Sequence, residues 1–450
     1  MGASGTLRYR LARDVSLPLL LAADSARRSV RRALRPKRKP PAWAGPPLQC
    51  ADRLRTIMTR HYLLARHAAA AMPVAWVTSG APVELLRAMG FYTVYPENHG
   101  ALCGARLAGL DMSAPAEHAG FSQDLCSYAR IDLGLALGAR SPVGTLPRPN
   151  VLVCSTNICQ TVLYWYKQLA HHYSVPLVLF DTPFVADDLD DGTLAYMVGQ
   201  LEALIPQLEP IAGRSFVPAL FEPILLRAQR TSLMWGEVLR SMTRRPAPMT
   251  IFDAFAHMAP VVSLRGLPVA ERYYELLLKE LESRVSRGIA AVNGERHRLL
   301  WDNIAVWFKL GDFIKLFSQA GCVFVAATYT NAWAETVHML DPKKPLESAA
   351  RTYSLVILNR DLKHRTALMK SMIKDYSVDG VVFHSTRSCK PYSVGQYDIQ
   401  RSLSQDCGVR TVLIDADTTD PRNYAEGPTR TRLEAFIEAL DLRSPATPSA

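Results

Sequence analysis

The sequence predicts an α/β protein built as two parallel-sheet lobes with a mainly helical segment between them. Three observations carry that expectation. Short apolar, β-branched runs recur along the body, longer stretches of helical periodicity separate them, and several runs end in Ser, Thr, Asn or Gly just before a helix. Strands that are apolar throughout suit a parallel sheet covered by helices on both faces. The lobes are therefore expected to be of the Rossmann or flavodoxin-like type, which bind ligands at the carboxyl ends of their strands.

Taken in order, residues 1–47 read as a basic, flexible extension closed by the proline-rich linker Pro36-Lys-Arg-Lys-Pro-Pro-Ala-Trp-Ala-Gly-Pro-Pro47. The first lobe is expected over residues 48–212, with strands at 74–78, 93–95, 151–154 and 177–180 and helices at 158–173 and 193–209. Residues 213–317 carry almost no strand signal and long helical periodicity, at 273–285 and 301–320. The second lobe is expected over 318–450, with strands at 323–326, 381–384 and 412–414, helices at 361–376 and 393–406, and a short disordered end. Val77-Thr78-Ser79-Gly80-Ala81-Pro82 illustrates a strand end poised for ligand. Gly80 permits an unusual backbone angle and Pro82 suits a first helical turn, where backbone N–H groups await an anion.

Charge narrows the function. The 450-residue chain carries a formal net charge of +11, but residues 1–40 hold eleven Lys/Arg against Asp14 and Asp24, or +9. The body is nearly neutral and has no basic field to collect nucleic acid; only the extension would suit an anionic surface. No apolar run is long enough to span a membrane. The run Leu17-Pro18-Leu19-Leu20-Leu21-Ala22-Ala23 is short, broken by proline and followed by arginines, which disfavours a secretory signal.

Eight cysteines are too few for a disulfide scaffold. Cys322 reads as strand core, Cys154 as core or strand end, Cys407 as packing, and Cys50 opens a helix without polar company. Cys103, Cys126 and Cys389 differ. Each lies among small and polar residues, in segments not expected to be helix or strand interior. Soft thiolates of this kind favour iron–sulfur clusters, zinc or copper(I), although no CxxC pair marks a metal motif. Cys159 opens a helix after a strand, where the dipole favours a thiolate; ligand, substrate-side group and packing all remain open for it.

Read together, the segments resemble the subunits of 2-hydroxyacyl-CoA dehydratases and the related ATP-dependent benzoyl-CoA reductases. The matching pieces are Pro96-Glu97-Asn98-His99 with Cys103-Gly104-Ala105, then Asp124-Leu125-Cys126-Ser127-Tyr128-Ala129-Arg130. Thr156-Asn157-Ile158-Cys159 with Trp165-Tyr166 and Phe180-Asp181-Thr182-Pro183 follow. Ser388-Cys389-Lys390-Pro391-Tyr392-Ser393-Val394-Gly395-Gln396 and Asp415-Ala416-Asp417 through Arg422-Asn423-Tyr424 complete the set. The resemblance covers the chain from about residue 48 to 440, with the pieces in the right order. Singly they are weak patterns; the ordered set is specific.

The resemblance implies a 4Fe–4S cluster in the cleft between the lobes, held by three cysteines with a non-cysteine fourth ligand. By motif position these are Cys103, Cys126 and Cys389, with Cys159 a further possibility. It implies a cytoplasmic, oxygen-sensitive heterodimer with a homologous second subunit, fed by an ATP-hydrolysing iron–sulfur activator. One low-potential electron would pass to an acyl-CoA thioester for ketyl radical chemistry. The chain carries no GxxxxGK[ST] signature of its own, so ATP use falls to that activator. Ser79, with its neighbouring N–H groups, is a candidate for the thioester oxygen, and Glu97 and His99 are acid/base candidates by proximity to Cys103. The alternative reading is a non-catalytic relative, acting as a scaffold or as an electron-relay partner.

Overall fold

The computed structural model describes residues 3–34 and 39–442. Among them, eight strands form two separate four-stranded sheets. The first holds β1 (Val74–Val77), β2 (Tyr92–Val94), β3 (Val151–Ser155) and β4 (Leu177–Phe180) in the order β2-β1-β3-β4. The second holds β5 (His297–Asp302), β6 (Cys322–Ala327), β7 (Gly380–Thr386) and β8 (Arg410–Ala416) in the order β6-β5-β7-β8. Every pairing is parallel. The two lobes thus share one topology, and β1, β3 and β6 are buried along their whole length, as sheets covered on both faces require.

One strand lies where helix was expected. β5 occupies the second sheet's interior, although it falls within residues 213–317, and helix begins only at Leu310–Gln319. Its apolar centre, Leu299-Leu300-Trp301, is flanked by buried Arg298 and Asp302, which conceal it as a strand. Specific partners make those charges tolerable. Arg298 donates to Glu295 Oε1 at 2.5 Å and to the Tyr376 carbonyl at 2.7 Å. Asp302 accepts from Thr328 Oγ1 at 2.8 Å and Gln396 Nε2 at 2.7 Å.

The rest of the central segment is helical and ties the lobes together. Helix Pro218–Arg240 buries Phe221, Leu225 and Ala228 in the first lobe's core, and Trp235, Val238 and Leu239 in the second's. At roughly 1.5–3 kcal/mol for each large apolar side chain buried, either half is an anchor.

The extension expected to be flexible is helical. Ala3–Leu11, a wide π turn at Ala12–Ser16, and Leu17–Leu34 run on without a break in helical backbone. Tyr9, Ala12, Leu17 and Leu21 are buried, and Tyr9 packs among Ala65 and Ala68. The expected features at residues 35–38 and 443–450 lie outside the described residues.

Candidate functional site

In each lobe the strand order reverses direction between the first strand and the third, so the loops after β1 and β3, and after β5 and β7, diverge and leave a crevice. Those four loops meet at one cavity. It is lined from the first lobe by Ser79, Gly80, Glu97, Cys126 and Cys159, and from the second by Ile304 and Cys389. Arg265, Trp333 and Tyr353 of the intervening segments close it, with a largely apolar wall.

The three cysteines share a local geometry. Cys126 is the N-cap of helix Ser127–Ala136, Cys159 of helix Gln160–Tyr173, and Cys389 of the short helix Lys390–Ser393. Cys159 Sγ accepts the Val162 N–H at 3.4 Å. Burial raises all three thiols, Cys159 to about 11 and Cys389 to about 12. The negative charge of Cys389 raises Cys126 further, and that of Cys159 raises both others. Such a set resists ionising without a cation among the sulfurs. Among the described residues, no group of three or more Cys, His, Asp and Glu side chains is close enough to chelate a single ion; the thiols stand apart around the cavity.

Cross-lobe bonds hold two of these loops side by side. The Ser127 N–H donates to Ser388 Oγ at 3.3 Å, joining the residues next to Cys126 and Cys389. Ser127 Oγ also bonds Thr418 Oγ1 at 2.9 Å, and Ser388 Oγ donates to Asp417. Buried Arg130 fixes the Cys126 loop by donating to the Leu125 carbonyl at 3.0 Å while pairing with Asp420 and Glu117. Arg365 does the same for the Cys389 turn through the Pro391 and Tyr392 carbonyls, both at 3.1 Å.

Ser79 and Glu97 form a pair at the cavity wall. The Ser79 N–H donates to Glu97 Oε1 at 3.1 Å, and Ser79 Oγ donates to the other carboxylate oxygen. Burial pushes the Glu97 carboxyl above its ordinary value, while the two Ser79 bonds pull it back; burial prevails. Gly80 is obligatory beside them, because a Cβ there would stand 2.1 Å from Asn157 Oδ1. Asn157 in turn donates to the Gly80 and Tyr353 carbonyls at 3.1 and 2.8 Å, locking the β1 and β3 loops together.

Cys103 and His99, expected at the site, do not line this cavity, although they lie beside one another. Cys103 lies inside helix Pro96–Ala105, fully buried against Met112 and Ile131. Residues four apart share a helix face and residues two apart do not, so His99 and Cys103 point together, away from Glu97. His99 Nδ1 bonds Asp132 Oδ1 at 2.6 Å, and its Nε2 meets Ser141 Oγ at 2.9 Å and Cys103 Sγ at 3.6 Å. The described residues that line the cavity include neither of them.

Arg265, in the turn between helices Ala259–Ser263 and Pro268–Ser286, and Tyr353, near the end of helix Pro345–Ser354, carried no sequence signal. Arg265 is wholly buried and donates to Glu84 at 2.8 Å and to Tyr353 Oη at 3.0 Å. This neutralised pair braces one wall of the cavity.

Fold and site together define a two-lobed α/β protein with a thiol-lined cavity at paired topological switch points. The chain belongs to the 2-hydroxyglutaryl-CoA dehydratase D-component family, whose model matches residues 78–440. It is 31% identical to the (R)-2-hydroxyisocaproyl-CoA dehydratase alpha subunit of Clostridioides difficile, over 82% of this chain and 91% of that protein. It is 29% identical to the alpha subunit of (R)-2-hydroxyglutaryl-CoA dehydratase of Acidaminococcus fermentans, over 82% and 92% of the two chains. A benzoyl-CoA reductase subunit of Thauera aromatica is 29% identical, over 80% of this chain and 86% of that one. Among the described residues, no helix is long and apolar enough to cross a membrane.

Proposed function

We propose that the chain is the iron–sulfur subunit of a 2-hydroxyacyl-CoA dehydratase or benzoyl-CoA reductase-type enzyme, with Cys126, Cys159 and Cys389 holding a 4Fe–4S cluster. The observation that carries the reading is the convergence of three N-cap cysteines, from both lobes, on one apolar cavity. The donor set fits: three soft thiols at helix N-termini that favour the ionised form, with Cys159 raising the other two and Cys389 raising Cys126. Cys159 takes the place expected for Cys103. Bound there, the cluster would supply one low-potential electron to the carbonyl of an acyl-CoA thioester.

The chain's own residues would do the remainder. Glu97 retains its proton to higher pH than a free carboxyl, so it can act as the acid that converts a leaving hydroxyl to water. Ser79 orients Glu97 through both hydrogen bonds. Ile158, Val162, Trp165 and Trp333 keep bulk water from the reacting groups. The homologous second subunit and the ATP-hydrolysing activator expected from the sequence belong to the same proposal, as does an oxygen-sensitive, cytoplasmic setting.

Anaerobic purification with iron and sulfide analysis, followed by EPR of the reduced protein, tests the assignment. About four irons per chain are expected. Changing Cys126, Cys159 or Cys389 to Ser should remove the signal, while Cys103→Ser should keep it. An iron-free chain, or a signal lost with Cys103 and retained with Cys159, overturns the proposal.

A further inference from the structure

The N-terminal helix has two faces, and the site just described uses neither. Its inner face is docked on the body. Tyr9, Ala12, Leu17 and Leu21 are buried there, and Gly5 lies so close to residue 70 that a Cβ would stand 2.0 Å from the Ala70 carbonyl oxygen. Its outer face carries a second apolar row. Leu7, Leu11, Val15 and Leu19 follow one another at four-residue steps, are 50–66% exposed, and lead on to Val30 and Leu34 at 57% and 79%. Exposed Ala22, Ala23 and Ala26 fill the interval.

In a regular α-helix, four-residue steps drift around the axis. The wide π turn at Ala12–Ser16 takes up more chain per turn and brings Val15 and Leu19 back into line with Leu7 and Leu11. The row is therefore straight along a helix about 48 Å long at 1.5 Å per residue. Arg8, Arg10, Arg27 and Arg31, all exposed, border it.

An apolar stripe edged by arginine, on a helix docked against the body as far as Leu21 and largely exposed beyond it, has the composition of a surface that lies in a lipid interface. The charge decides between a bilayer and a protein groove. Residues 1–40 carry +9, with Asp14 and Asp24 the only acids, and each of those is paired with an arginine of the same helix. We propose that this outer face docks the protein on an anionic lipid bilayer, apolar side chains entering the headgroup region and arginines meeting lipid phosphates.

Sedimentation of the full chain, with any subunit that copurifies, on phosphatidylcholine vesicles with and without phosphatidylglycerol tests this. Binding is expected to be at least about ten-fold tighter to the anionic vesicles, and to fall with added salt. The pairs Leu11→Glu with Leu19→Glu, and Arg27→Glu with Arg31→Glu, should each weaken it about ten-fold or more. Both pairs change exposed side chains, so circular dichroism and iron content should stay as in the unaltered protein. Equal binding to the two vesicle types, or none to either, overturns the proposal. So does loss of subunit assembly in the leucine pair without vesicle binding in the parent, which would make the face a protein interface.

Discussion

The two lobes fold by the same rule and serve the cavity differently. Each places the loops after its first and third strands at a switch point. In the first lobe those loops, with the Glu97 helix and the Cys126 loop, bring Ser79, Glu97, Cys126 and Cys159 to the cavity with part of their polar capacity turned inward. In the second lobe the polar groups are spent on one another. Asn303, at a left-handed φ of 87°, donates to the His384 carbonyl at 2.7 Å and to Thr386 Oγ1 at 3.0 Å. His384 is buried and held neutral, its pKa lowered to about 4, with Nδ1 toward the Ile304 carbonyl at 2.7 Å. Under the proposed function the first lobe supplies most of the chemistry, and the second a rigid wall and a single thiol. Substitutions should accordingly be read as lost activity in the first lobe and lost stability in the second.

Cys389 is where that division would break, because it is the second lobe's one chemical contribution. Single changes of Cys126, Cys159 or Cys389 to Ser should each abolish turnover, by at least about 100-fold, alongside the loss of iron. A Cys389→Ser enzyme that kept its iron and activity would confine the site to the first lobe.

Next in size is the Ser79–Glu97 pair. Glu97→Gln should lower kcat by about 10²–10⁴, the range for removing a general acid. If Glu97 acts as its protonated form, activity falls as pH rises through its raised pKa, and the glutamine variant lacks that alkaline limb. Ser79→Ala acts unevenly on the two bonds: the hydroxyl bond goes, the backbone bond stays. Because that hydroxyl stabilises the carboxylate, its loss raises Glu97 further and moves the alkaline limb to higher pH. A limb that moves to lower pH would contradict the assignment.

In the second lobe, Asn303→Ala should destabilise by about 2–4 kcal/mol, since it strips partners from buried groups while keeping an unfavourable backbone angle. Urea unfolding reads the loss directly. Iron content and kcat of the folded fraction should stay within about three-fold of the parent. A large kcat effect without a stability change would give the second lobe a chemical role.

The sequence made most of this legible, and its failures have physical causes. Seven strands announce themselves as apolar runs. β5 does not, because burying Arg298 and Asp302 draws on partners far along the chain as well as on Glu295: Arg298 reaches the Arg244 carbonyl 54 residues away and Asp302 reaches Gln396 94 residues away. Cys126 and Cys389 could be picked out because caps are polar, small-residue neighbourhoods. Cys103 sits in the same kind of company, Gly100, Gly104 and Ala105, yet those small residues serve close packing: a Cβ on Gly104 would stand 2.3 Å from Thr419 Cγ2. Assigning helix to Pro96–Ala105 would have separated Glu97 from Cys103 by helix geometry alone. Cys159, left open by the sequence between ligand, substrate-side group and packing, is likewise an N-cap, and that position brings it to the cavity.

The same helix supplies the smallest and most discriminating test, since Glu97 faces the cavity and His99 faces the core. Burial opposes charge on the His99 ring, but the Asp132 hydrogen bond and charge outweigh it and raise the ring to about 10. Burial holds the Asp132 carboxyl up, to about 6. A raised histidine contributes stability that is complete below its unfolded pKa of about 6.5 and is lost as pH rises through its folded value. Whatever the raised Asp132 carboxyl contributes is lost over a lower range, as pH rises from its unfolded value to about 6. The raised thiols also lose stability above about pH 8.5, in parent and variant alike, so the ring is read from the difference between the two. Between pH 7 and 9.5 the parent should lose roughly 1–2 kcal/mol more than His99→Gln, which starts about 1–3 kcal/mol less stable at pH 7. Because the ring is turned from the cavity, the variant's kcat should remain within about three-fold of the parent. A variant that is stable but inactive would return His99 to the reaction and dissolve the distinction between the two faces of the helix.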